Sequence, residues 1–143
     1  DEPWTDEARR YYINIVGKYG APVQTLLKKA AGLQIRTICP LHGPILNGDL
    51  TPYLQKYQTW SSYQPEESGV LVAYASIHGN TAKAAEFLSE QLWELGEQVT
   101  VLDLTRCDMS DAVQAAFRYD RMVLAAASYD GGVFLPMEEF LLH

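Results

Sequence analysis

Apolar runs and amphipathic segments alternate along the second half of the chain. VLVAYAS (70–76), QVTVLDLT (98–105) and RMVLAAASYDGGVF (121–134) each contain the apolar residues of a strand, and the third continues into a loop. Between them, TAKAAEFLSEQLWELG (81–96) and DAVQAAFRYD (111–120) have the spacing of helices. This order predicts parallel pairing with right-handed crossovers. We therefore expect an α/β fold that forms the first half of a doubly wound parallel sheet.

Single residues in these segments give finer expectations. Ser110 is expected to cap the second of the two helices. The strand in 121–134 is too apolar for a sheet edge, and PMEEFLLH (136–143) resembles the opening turns of a helix that then stops. We therefore expect a chain that is truncated, at both ends. The first helix should bury one apolar stripe, formed by Ala85, Leu88, Leu92 and Leu95.

The first half of the chain is predicted to be mainly helical. Thr5 and Thr51 are expected to cap the first and third helices, and Gly20 is expected to close the first. LQIRTICPLHG (33–43) predicts a short strand followed by a loop. The three predicted helices are WTDEARRYYINIVGKYG (4–20), APVQTLLKKAAG (21–32) and LTPYLQKYQTW (50–60).

A polar segment separates the two halves. SSYQPEESG (61–69) contains a proline and a glycine and resembles a linker. We place a domain boundary near Gly69, which divides the chain into residues 1–68 and 69–143.

Composition excludes some classes of function. The chain has 143 residues, a net charge of −7 and a pI of about 4.8, with no run of Lys or Arg, so we expect no nucleic-acid partner. No apolar run is long enough to span a bilayer, and DEPWTDEARR (1–10) is unlike a secretory signal. Cys39 and Cys107 have no metal or redox spacing and are both predicted to be core residues. A reduced, cytoplasmic location is therefore expected, without membrane association.

The loop that follows the first predicted strand of the second half combines small hydrogen-bonding residues. Ser76, Asn80 and Thr81 offer hydroxyl and amide groups, and Gly79 lets a ligand approach the backbone. Free N–H groups at the helix start favour a phosphate there. Neither GxxxxGK[ST] nor GxGxxG is present, so a monophosphate such as that of FMN fits better than a triphosphate or a dinucleotide. An ordinary turn that leads into a helix remains an alternative.

A second loop leaves the third strand at the same end of the sheet, because the strands are parallel. Tyr129 can offer an aromatic face to a planar ring. Ser128, Asp130 and the amides of Gly131 and Gly132 can form hydrogen bonds with the edge of that ring. A phosphate loop beside an aromatic, glycine-rich loop is what a flavin mononucleotide requires.

Three segments together resemble a known family. YASIHGNTAKAAEFL (74–88) resembles the phosphate loop of flavodoxins, and AASYDGGVFLPMEEFL (126–141) resembles their isoalloxazine loop. ICPLHGPIL (38–46) resembles the end of the metallo-β-lactamase-like domain of the flavodiiron proteins, also called A-type flavoproteins. KYQTWSSYQPEESGVLVAYAS (56–76) is similar to the domain connection of that family. The resemblance covers essentially the whole chain.

This resemblance implies an identity for each half of the chain. Residues 1–68 would be the C-terminal part of the metallo-β-lactamase-like domain with its linker, and 69–143 the N-terminal half of the flavodoxin-like FMN-binding domain. His42 would be one ligand of a di-iron centre. The FMN phosphate would be bound by Ser76, Ile77, His78, Gly79, Asn80 and Thr81. The flavin ring would be surrounded by Ala127, Ser128, Tyr129, Asp130, Gly131 and Gly132.

The chain also departs from the family pattern. Ala126 and Ala127 stand where Ser-Pro is common, and Asp130 stands where Asn is frequent. A carboxylate near the flavin would disfavour its anionic reduced form and lower its potential. The HxExDH run, the other metal ligands and a third flavin-contacting loop are absent from the sequence.

The resemblance implies a flavodiiron oxidoreductase. FMN would pass electrons from rubredoxin or a similar donor to a non-haem di-iron site, which would reduce O2 to water or NO to N2O. A homodimer or homotetramer is implied, with head-to-tail subunits. The chain alone contains no predicted catalytic residue and should not turn over. Two alternatives remain, a stand-alone flavodoxin-type electron carrier with an unrelated helical extension and a non-catalytic fragment.

Overall fold

The chain divides into two compact units between Glu66 and Glu67 in the computed structural model, which describes residues 4–143. The first unit is mainly helical, and the second contains a parallel sheet with helices. The sequence placed the boundary near Gly69, whereas the first strand of the second unit already begins at Glu67. The assignment of the two units to the metallo-β-lactamase-like and flavodoxin-like domains stays a prediction.

Three helices and one short antiparallel strand pair form the first unit. A π-helical turn (Tyr12–Val16) and a 3₁₀ turn (Gly17–Tyr19) connect the first two helices. The predicted strand in 33–43 is only two residues long and pairs with a second strand that the sequence did not predict. The elements are α1 (Trp4–Tyr11), α2 (Gly20–Ala30), β1 (Thr37–Ile38), β2 (Leu46–Asn47) and α3 (Thr51–Ser61).

Gly20 begins α2 and does not close the first helix, so that prediction was wrong. Its backbone is helical, with φ −53° and ψ −46°, and its N–H donates to the Tyr63 hydroxyl at 3.2 Å. A Cβ at this position would lie 2.5 Å from the carbonyl oxygen of Ser61. The glycine is therefore required by the close approach of α2 to the end of α3, and not by a positive φ.

The three predicted helix caps were also wrong. Thr5 lies inside α1, and Thr51 is the first residue of α3. Asp49 accepts a hydrogen bond from the Thr51 N–H at 3.0 Å, and Asp108 accepts one from the Ser110 N–H at 2.8 Å. In both cases an aspartate two residues earlier accepts a hydrogen bond from the N–H of the Thr or Ser that was expected to cap the helix.

Glu66 joins α1 and α3 through a buried network of charges. Its side chain is 3% exposed and that of Arg9 is 1% exposed. Arg9 donates to both carboxylate oxygens, at 2.6 and 3.0 Å, and Trp60 donates its indole N–H at 2.8 Å. Lys56 forms a further ion pair with the same carboxylate. Burial alone would raise the pKa of Glu66, but these hydrogen bonds lower it to about 2.

A three-stranded parallel sheet forms the centre of the second unit. The strand order is β4-β3-β5, with Val72 of β3 opposite Val101 on one side and Val123 on the other. This confirms the predicted α/β fold with a parallel sheet. The elements are β3 (Glu67–Ala75), α4 (Asn80–Glu94), β4 (Val99–Asp103), α5 (Met109–Arg118), β5 (Tyr119–Ala126), β6 (Ser128–Tyr129), β7 (Gly132–Val133) and α6 (Leu135–Leu142).

Apolar side chains cover β3 on both faces. One face carries Leu71, Ala73 and Ala75, packed with buried residues of α5 and α6. The opposite face carries Val70, Val72 and Tyr74, packed with Ala85 of α4. A nearly continuous apolar run is therefore required, because successive side chains of a strand point to opposite faces.

The predicted apolar stripe of α4 was only partly correct. Ala85 is buried, but Leu88 is exposed, and Leu95 lies beyond the helix end and is also exposed. Ser89 is buried in their place and donates its hydroxyl to the Ala85 carbonyl at 2.7 Å. Two small residues one turn apart let the helix lie close to the sheet, which larger leucines would prevent.

β5 lies at an edge of the sheet that residues 67–143 form, and the expectation that so apolar a strand has a further neighbouring strand in the whole protein stays a prediction. Met122 and Leu124 on this strand are 51% and 39% exposed. Cys107 is half-buried, and burial raises its pKa, whereas Cys39 is exposed and is not the core residue that was predicted. No helix within residues 4–143 has the length and apolar character needed to cross a lipid bilayer.

Candidate functional site

The carboxyl ends of β3 and β5 bring the two predicted flavin loops together. Ala75 and Ala126 are the last residues of these strands and lie opposite each other. The Ala127 N–H donates to the Ala75 carbonyl at 3.2 Å. Ser76 and Ala127 therefore begin their loops side by side, at the edge of the sheet where ligands bind in open α/β folds.

The loop from Ser76 to Thr81 is held in a fixed turn. The Ser76 hydroxyl accepts a hydrogen bond from the Gly79 N–H at 3.0 Å. Gly79 has φ +84°, and no atom lies within 4 Å of the place that a Cβ would occupy there. A glycine is needed for this backbone conformation, and the space beside it is open to a ligand.

The first turn of α4 has amide donors without acceptors in the helix. An α-helix leaves its first N–H groups without an intrahelical partner, which here concerns Asn80, Thr81 and Ala82. Gly79, the residue before the helix, has no side chain that could accept from them. In the same loop, His78 is exposed and Ile77 is half-buried. The loop therefore presents amide, hydroxyl and imidazole groups, with no lysine or arginine among residues 76–81.

The second loop is a tight hairpin. Tyr129 pairs with Gly132, and Ser128 pairs with Val133. Between them, Asp130 and Gly131 have φ +49° and φ +77°, as the two central residues of a type I′ turn do. The Phe134 N–H donates to the Ala127 carbonyl at 3.1 Å and closes the base of the loop. The sequence predicted only a loop here, although an Asp-Gly pair is a strong signal for such a hairpin.

Tyr129 is the aromatic residue that this hairpin presents. Its side chain is 56% exposed, and its ring centroid lies 6.0 Å from that of Phe134, with the planes tilted by 59°. Asp130 at the turn is exposed as well. The hairpin therefore holds an exposed aromatic ring and a carboxylate on a short, hydrogen-bonded frame.

The chain has relatives among known proteins, in sequence and in fold. The chain is 27% identical to a protein named putative diflavin flavoprotein A 3 from Synechocystis, over 99% of the chain and 24% of that relative. It is 25% identical to the rubredoxin oxygen:oxidoreductase of Desulfovibrio gigas, with a TM-score of 0.83 over 94% of the chain and 34% of that structure. The chain is homologous to the flavodiiron proteins. No protein-family model matches it.

A flavodiiron protein from Giardia intestinalis has the same fold. Its structure matches with a TM-score of 0.88 over 94% of the chain, at 22% identity. The chain covers 33% of that flavodiiron protein. It thus spans about a quarter to a third of the length of these relatives.

The loops fit the flavin of the flavodiiron family. Free amides at a helix start and an open space beside Gly79 suit a phosphate, because oriented N–H groups stabilise negative charge. Ala127 to Gly132 lie in or directly before the hairpin that begins next to this loop. All twelve predicted flavin residues are therefore found at one edge of the sheet, while their contacts with a flavin stay a prediction.

The described residues do not fit a di-iron centre by themselves. His42, the predicted iron ligand, lies in the loop between β1 and β2 and is exposed. Its ring centroid is 5.4 Å from that of Tyr11. Among residues 4–143, no group of three or more His, Cys, Asp or Glu side chains is arranged to hold a metal ion. A single imidazole cannot hold the two irons of a flavodiiron centre.

Proposed function

We propose that the unit Glu67–His143 binds FMN and forms part of the electron-transfer domain of a flavodiiron oxidoreductase. The Ser76–Thr81 loop binds the phosphate through backbone N–H groups and the Ser76 and Thr81 hydroxyls. The hairpin Ser128–Val133 orients the ring, with Tyr129 against one face. Bound FMN supplies the capacity to accept and release electrons singly or in pairs.

One observation carries this proposal. The hydrogen bond from the Ala127 N–H to the Ala75 carbonyl holds the starts of the two loops beside each other. A phosphate site and an aromatic hairpin are then available to the two ends of a single ligand. An ordinary strand-to-helix turn would require neither the open space at Gly79 nor a neighbouring hairpin with an exposed tyrosine.

We further propose the activity of the whole protein from its relatives. A solved relative is named a rubredoxin oxygen:oxidoreductase, which supports a rubredoxin-type electron donor and O2 as a substrate. Reduction of O2 to water, or of NO to N2O, would occur at a non-haem di-iron site. His42 would contribute one ligand to it, in a cytoplasmic homodimer or homotetramer.

A fluorescence titration of the chain with FMN, and with riboflavin in parallel, tests the flavin proposal. Riboflavin has the same ring but no phosphate. We expect the fluorescence of both flavins to be quenched. FMN should bind at least about tenfold more tightly than riboflavin, since hydrogen bonds to a charged group contribute about 1.5–3 kcal/mol. Equal affinities would contradict the role of the Ser76–Thr81 loop. If FMN fluorescence is not quenched even at a concentration about 100 times a micromolar Kd, the whole flavin proposal is contradicted.

A further inference from the structure

Asn47 and Gly48 form the only Asn-Gly pair of the sequence. Asn47 is the last residue of β2, and both residues are exposed. Gly48 has φ +79°, and no atom lies within 4 Å of the place that a Cβ would occupy there. The side-chain amide of Asn47 and the backbone nitrogen of Gly48 are therefore neighbours on an open surface, and Gly48 has no side chain that would keep them apart.

This pair has the groups for an intramolecular reaction. The Gly48 nitrogen, after it loses its proton, attacks the side-chain carbonyl carbon of Asn47. The new C–N bond closes a five-membered succinimide ring, while the bond to the side-chain nitrogen breaks and ammonia leaves. Water then opens the ring at either carbonyl. One opening gives aspartate, and the other gives isoaspartate, in which the main chain runs through the former side chain.

The other two asparagines of the sequence are followed by residues that hinder this attack. Asn14 lies in the π-helical turn, and its side-chain amide donates to a backbone carbonyl at 2.9 Å. Asn80 is the first residue of α4. Each precedes a β-branched residue, Ile15 or Thr81, whose substituents crowd the backbone nitrogen. Both asparagines are as exposed as Asn47 by class, so exposure alone does not distinguish the three.

The strand pair that ends at Asn47 is short. It consists of Thr37 opposite Asn47 and Ile38 opposite Leu46, and the loop between the two strands carries His42. Isoaspartate lengthens the main chain by one carbon, which shifts the register of a strand pair. Two residue pairs leave no longer ladder to hold the loop once the outer pair is lost.

We propose that Asn47 and Gly48 form a site of non-enzymatic deamidation, which converts Asn47 into aspartate and isoaspartate and opens the base of the loop that carries His42. The inference concerns the first unit and goes beyond the proposed flavin function. Each event replaces a neutral amide with a carboxylate and makes the formal charge of −7 more negative by one. The site thus changes the β1–β2 pair slowly and irreversibly as the protein ages.

Incubation of the folded chain at physiological temperature and pH tests the reaction. Ion-exchange chromatography separates the more acidic form, mass spectrometry of peptides locates the change, and an isoaspartyl methyltransferase marks isoaspartate. We expect Asn47 to react at least about tenfold faster than Asn14 or Asn80. The rate should rise with hydroxide concentration, because the deprotonated amide is the nucleophile. Asn47→Gln should abolish the early acidic form, since its longer side chain would have to close a larger and less favourable ring.

Amide hydrogen exchange of residues 37–47 tests the structural consequence. The isolated isoaspartate form should exchange faster than the wild type. Asn47→Asp is a matched control, because it carries the same new charge on a main chain of normal length. It should therefore keep the wild-type exchange rates.

Three results would overturn the inference. One is a folded chain that keeps Asn47 intact while the same chain in urea deamidates there, because the fold would then protect the site. Another is an equal rate at all three asparagines. The third is an isoaspartate form with wild-type hydrogen exchange. FMN titration does not depend on any of these results, so this inference and the flavin proposal can fail separately.

Discussion

Gly79 and Gly96 form a matched pair of residues at the two ends of α4. Their φ values are +84° and +83°, and a Cβ added at either position would have no other atom within 4 Å. Replacement by alanine should therefore destabilise the fold about equally, by about 1–2 kcal/mol, because a Cβ disfavours the left-handed conformation. Urea unfolding of the two variants measures this cost.

Only one member of the pair should affect flavin binding. Gly79→Ala should raise the FMN Kd by about tenfold, since the turn that aims the amides toward the ligand is strained. Gly96→Ala should leave it unchanged. Titration of both variants at one temperature and salt concentration compares them directly. Equal FMN affinities would show that the conformation at Gly79 serves folding alone.

Asp130 offers a second prediction for a single residue. The Asp130→Asn substitution keeps the size of the side chain and the tolerance for a positive φ, so the hairpin should persist. Removal of one negative charge near the flavin should raise its two-electron potential by about 10–50 mV. Spectroelectrochemistry of the FMN-loaded chain measures the shift. An unchanged potential would place the Asp130 carboxylate too far from the ring to influence it.

At the scale of elements, α1 and α3 depend on the Glu66 carboxylate. The Glu66→Gln variant should lose about 3–5 kcal/mol of unfolding free energy, because the buried Arg9 would retain only the partly exposed Asp6 as a counterion. Glu7 forms an exposed ion pair with Arg10, so Glu7→Gln is a matched control with an expected loss below about 1 kcal/mol. Guanidinium unfolding, followed by tryptophan fluorescence, compares the two.

The pH dependence of this effect follows from the same carboxylate. The pKa of Glu66 is about 2 in the folded chain, below its ordinary value of 4.5. Its stabilising contribution is therefore complete above about pH 4.5 and is lost as the pH falls toward 2. The stability difference between the wild type and Glu66→Gln should shrink over that interval. A difference that is constant between pH 5 and pH 3 would contradict this account.

The sequence predicted elements better than their contacts. The strands of the second unit followed from apolar runs, because β3 is covered on both faces and must be apolar throughout. The stripe on α4 could not be predicted from periodicity alone, since the space available at Ser89 depends on how closely the helix approaches the sheet. Gly20 was misassigned for the same reason: the sequence does not reveal the nearby Ser61 carbonyl.

The candidate site shows a similar limit. The phosphate loop and the aromatic loop were both found from residue types, and the parallel order of the strands placed them at one edge. The hairpin form of the second loop was missed, although its Asp-Gly pair signals such a turn. The hydrogen bond between Ala127 and Ala75 joins two backbone groups, so no side-chain pattern could have predicted it.

On the scale of the whole molecule, charge and contacts are unevenly distributed. The first unit has 6 Asp and Glu against 7 Lys and Arg and contains the Glu66 network, while the second has 12 Asp and Glu against 4 Lys and Arg and contains the two proposed flavin loops. Acidification should remove stabilising contributions from both units. In the first it protonates Glu66, and in the second it protonates Glu97, whose pKa is lowered by its hydrogen bonds with Arg121.

The central position of β3 also determines the order of events during synthesis. Val70 to Ala75 are buried without interruption, yet Ala126, the last partner of this strand, follows Ala75 by 51 residues. At about 5–20 residues per second, a ribosome needs about 3 to 10 s to produce that stretch. Throughout this interval the most apolar strand of the unit has been made but lacks at least one neighbour. The nascent chain, more than the finished fold, is therefore the form most exposed to aggregation and most in need of a chaperone.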